Sequence, residues 1–294
     1  MKSVILLSCF CAAILLAGDE RHPDFHVNVN MVQVRVAVTH ANGQYVRNLD
    51  ARDFRVTENG VEQKIRTISV PAQTDAAAAT NVFILFDTSN PMYQGFVYAE
   101  DAIADFIRRL PPNDPVAIYG FSRNVTRLTP PTRDRFADMV ALRHAVSGDE
   151  TALYDAILVT LREAASVTGN RVIVVFSNGP DTSSVLAPVH VCSVAEDEGI
   201  PIYVISTHVR SRYAQEALQS FTSSTGGKIY YARDWQDEKA AFQAVGDDLR
   251  NSYVLAYYPS GNADSVYRKI EVEVRGENGR KYHVRARTGY RSER

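Results

Sequence analysis

The chain has few cysteines, and their positions exclude a disulfide framework. Three cysteines occur among 294 residues, and Cys9 and Cys11 lie in an apolar N-terminal stretch that we expect to be removed. Cys192 is then alone in the mature chain, so no internal disulfide can form even in an oxidising compartment. We expect Cys192 to be a buried thiol on a helix face rather than a reactive or metal-binding thiol paired with His190.

The sequence also lacks the run of about 20 apolar residues that a membrane-spanning helix needs. Its N-terminal apolar stretch is shorter, covers residues 4–16, follows Lys2 and ends at the small residues Ala17 and Gly18. These features are typical of a secretory signal peptide over residues 1–18, cleaved near its end. We therefore expect a secreted or periplasmic protein with no transmembrane segment in the mature chain.

Neither sign of charge dominates the composition. Lysine and arginine number 32, aspartate and glutamate number 34, and the formal net charge is −2. Because no basic patch is interleaved with aromatic residues, we expect no nucleic-acid partner. Apolar residues make up 45% of the chain and charged residues 22%, as in ordinary globular proteins. This composition argues against a disordered chain and against a bundle of membrane helices.

Motifs of the common enzyme classes are missing from the sequence. It has no Gly-x-Ser-x-Gly elbow, His-Glu-x-x-His helix, nucleotide-binding glycine fingerprint or Cys-x-x-Cys pair. The segment Thr225-Gly226-Gly227-Lys228 lacks the first glycine of a phosphate loop, and we interpret it as a helix C-cap. Catalysis needs positioned acids, bases or cofactors, so we expect a protein that is not an enzyme and has no catalytic residues.

Strand-like and helix-like patterns alternate through the middle of the chain. This alternation, over residues 80–251, predicts an α/β domain with a mostly parallel sheet and helices on both faces. The predicted strands are Val82–Phe86, Val116–Phe121, Val172–Phe176, Ile202–Ile205 and Ile229–Tyr231, with Val125–Leu128 as an antiparallel edge. The predicted helices are Phe96–Leu110, Arg135–Val146, Leu153–Val167, Pro188–Glu198, Ala214–Ser223 and Trp235–Arg250.

Both ends of the chain have β patterns instead. In the N-terminal segment, residues 19–72, a β pattern covers residues 25–70. Its apolar alternation slips by one residue at Met31–Val32, which predicts a bulge or a bend between two sheets, and Asn-Gly pairs at 42–43 and 59–60 predict turns. Residues 252–294 contain three strand-like runs, with a turn at 277–279 between the last two. Short strands are marginal alone, so we predict that both ends form one small β-sandwich carrying the α/β domain. We expect the basic side chains of the last strands to face solvent, namely Lys269, Arg275, Arg285 and Arg287.

Three polar segments carry the candidate site. The first begins at Asp87, directly after a predicted strand, and the third begins at Ser177, directly after another. The second covers residues 148–155. Ligands of open α/β sheets bind at the carboxyl ends of the strands, so we expect the site at this edge.

With these segments the chain resembles the von Willebrand factor A family, whose metal-ion-dependent adhesion site consists of Asp-x-Ser-x-Ser, a distant threonine and a distant aspartate. It looks most like the von Willebrand factor A-related proteins of Acidobacteria, through Thr-Ala-Leu-Tyr-Asp-Ala at 151–156 and Asp-Thr-Ser-Ser at 181–184. The resemblance covers about residues 80–250. It implies a Rossmann-like fold, with Asp87, Ser89 and Thr151 as metal ligands.

Two positions depart from the family's pattern. Pro91 stands where the second serine belongs, and Asn178 stands where the second aspartate belongs. Mg²⁺ prefers near-octahedral oxygen ligands with one or two carboxylates, and these changes remove a hydroxyl and a charge. We therefore expect no bound metal or weakly bound Mg²⁺, in a degenerate site. Three carboxylates in the same segments are candidates to compensate for the lost ligands, namely those of Asp149, Glu150 and Asp181.

These observations leave more than one function open. The leading hypothesis is an exported, non-catalytic adhesion module that binds a protein or other macromolecule through loops 87–96, 147–154 and 177–186. In the family, a carboxylate of the ligand completes the coordination of the metal. The alternative is a structural or assembly protein of the cell envelope that has lost metal-dependent binding, with a hydrolase as a third possibility. In the alternative, Asp87, Ser89 and Thr151 only cap and brace the loops.

Overall fold

The computed structural model describes most of the chain after the predicted signal peptide. The described ranges are 31–70, 79–90, 96–177, 180–207, 211–260, 267–275 and 282–291. The predicted signal peptide, Pro91, Asn178 and the predicted turn at 277–279 lie outside these ranges, and so do the residues before Met31 that the predicted bulge requires. Within the described ranges, no helix is long and apolar enough to cross a membrane.

Strands and helices alternate through the middle of the chain. The strands are β1 (Val32–Thr39), β2 (Phe54–Glu58), β3 (Val61–Gln63), β4 (Ile65–Ser69), β5 (Thr80–Asp87), β6 (Val116–Phe121), β7 (Val125–Thr132), β8 (Asn170–Ser177), β9 (Ile202–Ser206), β10 (Ile229–Tyr231), β11 (Tyr253–Tyr257), β12 (Tyr267–Val274), β13 (His283–Arg285) and β14 (Gly289–Arg291). The helices are α1 (Phe96–Arg109), α2 (Arg135–Arg143), α3 (Leu153–Ala165), α4 (Pro188–Glu198), α5 (Arg212–Thr225) and α6 (Trp235–Asn251).

The central sheet has the order β10-β9-β8-β5-β6-β7. Its first five strands are parallel, and β7 pairs with β6 in the antiparallel direction. This arrangement confirms the predicted α/β fold class. The inner strands are continuous apolar runs because helices cover both of their faces. The edge strand β7 continues beyond the predicted Leu128 through Pro130 and Pro131, which an edge strand tolerates.

Helices α1, α2 and α6 cover one face of the sheet, and α3, α4 and α5 cover the other. Strand β5 contributes to both cores, because Ile84 and Phe86 pack with the first group whereas Phe83 and Leu85 pack with the second. Cys192 lies buried in the second core, which confirms its prediction as a buried thiol. Gly226 closes α5 with a φ of 78°, so the interpretation of the Thr-Gly-Gly-Lys segment as a helix C-cap is also confirmed.

Strands from both ends of the chain form two further sheets, β13-β1-β11-β4 and β14-β12-β2-β3. Strand β1 lies antiparallel to β11, with Val34 opposite Leu255, and these side chains pack into a common core with Ile270 of β12. Strands β12 and β13 are in different sheets, so the predicted turn between them does not join two paired strands. The domain boundaries at 19–72, 80–251 and 252–294 stay predictions.

The predicted solvent exposure of the last basic residues is wrong for Arg285 and Arg287. The Arg285 Nη2 atom donates to both carboxylate oxygens of Asp248, at 2.6 Å each, and its Nη1 donates to the Gly227 carbonyl at 3.1 Å. Arg287 is 8% exposed and lies over the ring of Tyr290. Both arginines are covered because residues 283–291 pack against the α/β domain, where Arg285 meets Asp248 of α6 and the Arg287 guanidinium lies beside Gly199 at the end of α4. Lys269 remains exposed and pairs with Glu271.

Candidate functional site

Asp87 occupies the carboxyl end of β5 and is buried. The backbone N–H of Ser89 donates to its Oδ1 at 2.9 Å, and the Ser177 hydroxyl donates to its Oδ2 at 2.8 Å. Ser177 ends β8, the neighbouring strand. The ends of two adjacent parallel strands therefore hold one carboxylate in a fixed orientation.

The Ser89 side chain is fully buried, and its hydroxyl has no hydrogen-bond partner among the described residues. A buried hydroxyl without a partner costs free energy, so this oxygen is available to a ligand. Ser89 forms a parallel bridge with Gly148, whose N–H donates to the Thr88 carbonyl at 3.0 Å. A Cβ at Gly148 would lie 2.2 Å from the Ser122 hydroxyl, so glycine is needed for this close approach.

Thr151 lies three residues after Gly148, and its backbone is bound to the loop that follows β8. Its N–H donates to the Thr182 hydroxyl at 3.0 Å. Its carbonyl accepts from the N–H groups of Thr182 and Ser183, at 2.8 and 3.1 Å. The backbone thus brings the segments of Asp87, Ser89 and Thr151 to one edge of the sheet.

The same loop caps helix α3. Ala152 stands at the N-cap position and offers no side-chain acceptor. Instead, the Tyr154 N–H donates to Asp181 Oδ2 at 3.0 Å, and the Ser184 hydroxyl accepts from the N–H groups of Tyr154 and Asp155 at 3.1 Å each. Asp155 accepts in return from the backbone N–H of Val185 at 2.9 Å. Helix and loop therefore complete each other's hydrogen bonds.

Each carboxylate proposed to compensate has a partner of its own. Asp149 accepts from the Asn90 amide at 2.7 Å. Glu150 forms an exposed ion pair with Arg123 at 2.7 Å. Asp181 serves the α3 cap described above. The structure thus places these side chains around the edge, and each is already engaged in holding a loop or pairing with a charge.

The oxygens of Asp87 and Ser89 are of the kind that Mg²⁺ prefers. Among the described residues, no group of three or more histidine, cysteine, aspartate or glutamate side chains is placed to hold a metal ion. The described oxygen atoms are therefore of the type that binds a hard cation such as Mg²⁺. They supply little negative charge to neutralise that cation. Pro91 and Asn178, the two degenerate positions, lie outside the described residues.

An open cleft of about 350 Å³, which no motif in the sequence predicted, lies beside these loops. It separates the loop after β8 from the start of α5, and most of its lining is apolar or aromatic. The lining residues are Tyr154, Pro180, Asp181, Ser184, Val185, Leu186, Ala187, Pro188, Ser211, Tyr213 and Ala214. The available signal was a run of apolar residues that ends in a proline, at 185–188, in the connection between β8 and α4.

The α/β domain matches a family model described as von Willebrand factor type A domain over residues 82–180. A curated relative, the "UPF0353 protein" of Mycolicibacterium paratuberculosis, is 23% identical over 176 residues, which are 51% of this chain and 53% of that protein. The chain thus spans about half the length of this relative.

Solved structures show the same fold. The von Willebrand factor domain of the type V pili tip protein Mfa5 from Porphyromonas gingivalis is 12% identical, with a TM-score of 0.52, covering 58% of this chain and 95% of that one. Proximal thread matrix protein 1 from the mussel byssus, with a zinc-occupied adhesion motif, is 14% identical, with a TM-score of 0.51, covering 67% and 50%.

These findings define a protein with a von Willebrand factor A-like α/β domain. The family match and the fold support the resemblance to the von Willebrand factor A family. The special likeness to the Acidobacteria proteins stays a prediction.

Proposed function

We propose that this chain is an exported, non-catalytic adhesion or assembly module that binds a protein partner through the carboxyl-edge loops of its α/β domain. The observation that carries the proposal is the mutual bracing of these loops. Thr151 is bound to Thr182 and Ser183, and Asp181 and Ser184 cap α3 beside an open cleft. A surface held rigid before binding loses little entropy on association, as a recognition site requires.

The polar groups of this edge support binding more than catalysis. The Ser177 hydroxyl and the Ser89 N–H donate to the two oxygens of Asp87 and hold this carboxylate in place. Asp181 is occupied by backbone and hydroxyl donors. These groups hold the loops in place, so their role is structural.

We further propose that the metal-ion-dependent adhesion site is degenerate and holds Mg²⁺ weakly or not at all. Asp87 is a single buried carboxylate, with Ser89 and Thr151 as neutral oxygen donors. Replacing the family's second aspartate by Asn178 and its second serine by Pro91 removes a charge and a hydroxyl. The zinc-occupied motif of the mussel protein is a property of that protein. Binding by this chain therefore depends on its loops and not on a tightly held ion.

The experiment is affinity capture from the native cell envelope with the tagged mature protein, with and without a chelator. Val185→Asp changes the rim of the cleft, where Val185 is 91% exposed. Phe136→Asp is the matched control, because Phe136 is 78% exposed on α2, near the amino edge of the sheet. We expect one specific partner to be captured by the parent with or without chelator, lost by Val185→Asp and kept by Phe136→Asp.

Two outcomes would contradict the proposal. Capture that disappears with chelator would show a functional metal site. Capture that survives Val185→Asp unchanged would favour the alternative, a structural or assembly protein that uses another surface.

A further inference from the structure

Two stacked aromatic rings are half exposed where α1 and α6 meet. The ring centroids of Tyr98 and Trp235 are 6.2 Å apart, with an angle of 20° between the ring planes. Tyr98 is 56% exposed and Trp235 is 50% exposed. Trp235 is also the chain's single tryptophan. Large apolar side chains scattered on a surface need no explanation, but a stacked pair open to solvent is a ready platform for a ligand.

This aromatic pair lies at the same edge of the sheet as the candidate site. Helix α1 follows β5 and helix α6 follows β10, and both strands belong to the parallel part of the sheet. Helices that follow parallel strands start at their carboxyl ends, so Tyr98 and Trp235 stand at that edge. They lie on the sheet face opposite α3, α4 and α5.

Carboxylates surround the aromatic pair. Asp101 follows Tyr98 by three residues on α1, and Glu238 follows Trp235 by three residues on α6, which places each acid on the same helix face as its ring. Asp234 is the N-cap of α6. No ion pair involves Asp101, Asp234 or Glu238 within the described ranges. The Oε2 atom of Glu238 is buried and has no hydrogen-bond partner there.

The nearby cations bind other carboxylates. Arg233 binds Asp237 at 3.0 Å, and the Lys239 ammonium lies 4.0 Å from Asp105, which also binds Arg109 at 2.9 Å. Within the described residues, Asp101, Asp234 and Glu238 therefore form no direct ion pair, and only Asp234 interacts with the more distant charge of Arg233. Aromatic faces attract cations because of the ring quadrupole, and the attraction adds to that of a neighbouring carboxylate.

We propose that Tyr98 and Trp235, with the carboxylates of Asp101, Asp234 and Glu238, bind a lysine or arginine side chain from a basic segment of the protein partner. A guanidinium stacks on an aromatic face while its N–H groups donate to carboxylates at the rim, which matches this arrangement. The proposal rests on the proposed function, because it names the chemistry of the partner. With this site, the carboxyl edge of the sheet recognises positive charge on the partner without a metal ion.

The protonation of Glu238 supports the same site. Burial, with a smaller contribution from the charge of Asp234, raises the pKa of Glu238 to about 7. At the N-terminal end of α6, Asp234, Asp237 and Lys239 lie within four residues of Glu238, and α1, which packs against α6 through Phe106 and Phe242, carries Asp101 and Asp105. A bound cation favours the ionised carboxylate, so it lowers this pKa. Binding should therefore weaken as the pH falls from 8 to 6.

The test is a fluorescence titration of the full mature chain, because its single tryptophan belongs to the site. Hexa-arginine is the probe, and hexaglutamate is the matched control. We expect a saturable change in Trp235 emission with hexa-arginine that weakens with added salt and none with hexaglutamate. Tyr98→Ala should weaken binding about two- to fivefold, and Glu238→Gln about threefold or more. Tyr258→Ala removes a similarly exposed tyrosine ring that follows β11, away from both the aromatic pair and the cleft, and should change nothing.

The proposal is overturned by an unchanged emission, by an equal response to hexaglutamate, or by unaltered binding after Glu238→Gln and Asp234→Asn together. This result is separate from the envelope capture. If hexa-arginine binds while the envelope capture is unaffected by Val185→Asp, the two results together support the basic-segment site and overturn the proposed role of the loops.

Discussion

At the scale of single residues, Asp181 shows how one carboxylate serves two segments. Its Oδ2 accepts from the Tyr154 N–H at the start of α3 and from the Ser184 hydroxyl, and its Oδ1 accepts from the Ser184 N–H at 3.0 Å. Asp181 is one of the carboxylates that the sequence suggested as a compensating metal ligand. The geometry gives it the role of a cap for a helix whose own N-cap residue is alanine.

We expect Asp181→Ala to lower the free energy of unfolding by about 1–2 kcal/mol, because it removes one of the two acceptors that cap α3 and leaves the Ser184 N–H without its acceptor. Amide hydrogen exchange at Tyr154 and Ser184 should accelerate in the same variant. Glu216→Ala is the control, since Glu216 forms an exposed pair with Arg212 and should cost less than about 0.5 kcal/mol. Equal stability of Asp181→Ala and the parent would refute the capping role.

Charged residues near the C-terminus show where prediction from sequence failed. Arg285 lies in a strand whose alternation places it on the polar side, which predicted solvent. That side faces Asp248 of α6 and the end of α5, and Tyr45 also donates to Asp248 at 2.9 Å. Which polar face of a strand meets another domain depends on tertiary packing, and no local pattern encodes it.

At the scale of elements, the buried parallel strands were predicted best. Strands β6 and β10 and helix α4 have the predicted bounds, and β5, β8 and β9 differ from prediction by one or two residues at an end. The apolar runs of β5, β6, β8 and β9 are continuous because helices cover both faces of the sheet, so the signal is strong. Helix α2 ends at Arg143 instead of the predicted Val146. Helix ends are less certain because they are set by local capping.

Short and distant strands were harder to predict. Strand β14 has three residues, Gly289–Arg291, and the sequence analysis did not include it. It pairs with β12, whereas β13 pairs with β1, a strand more than two hundred residues earlier. A three-residue strand has no measurable alternation, and its partner is selected by the packing of the whole sandwich.

Part of the candidate site could be predicted from the sequence, and part could not. Asp87, Ser89 and Thr151 were singled out from their motif and their position at strand ends. The Ser177 hydrogen bond to Asp87 and the caps on α3 were not foreseen, because they join segments about 30 to 90 residues apart. The assignment of metal ligands stays a prediction.

At the scale of the whole molecule, both ends of the chain share one β core. Strand β1 lies between β11 and β13, and β2 lies between β12 and β3. Deleting residues 260–294 removes β12, β13 and β14 and the Arg285 contact with Asp248. Strand β1 keeps its pairing with β11 but loses β13 and the side chains of β12 that fill the shared core. We therefore expect amide protection over Val32–Val38 to collapse in the truncated chain, although the whole α/β domain lies between the two segments in the sequence.

Strand β8 is the internal control in this hydrogen-exchange experiment, because its neighbours β5 and β9 are retained. Its protection should persist while that of β1 is lost. Unchanged protection of β1 would mean that the N-terminal segment is stable by itself, and it would contradict a sandwich completed by both ends.

The most direct test of the degenerate adhesion site is thermal unfolding of the mature chain with and without millimolar Mg²⁺ or Mn²⁺. A micromolar site would gain about 4 kcal/mol of stability from millimolar ion. We expect no measurable shift for the parent, and metal-dependent stabilisation after the paired change Asn178→Asp and Pro91→Ser restores the family's ligands. A rise of several degrees in the parent, abolished by a chelator and by Asp87→Ala, would contradict the account.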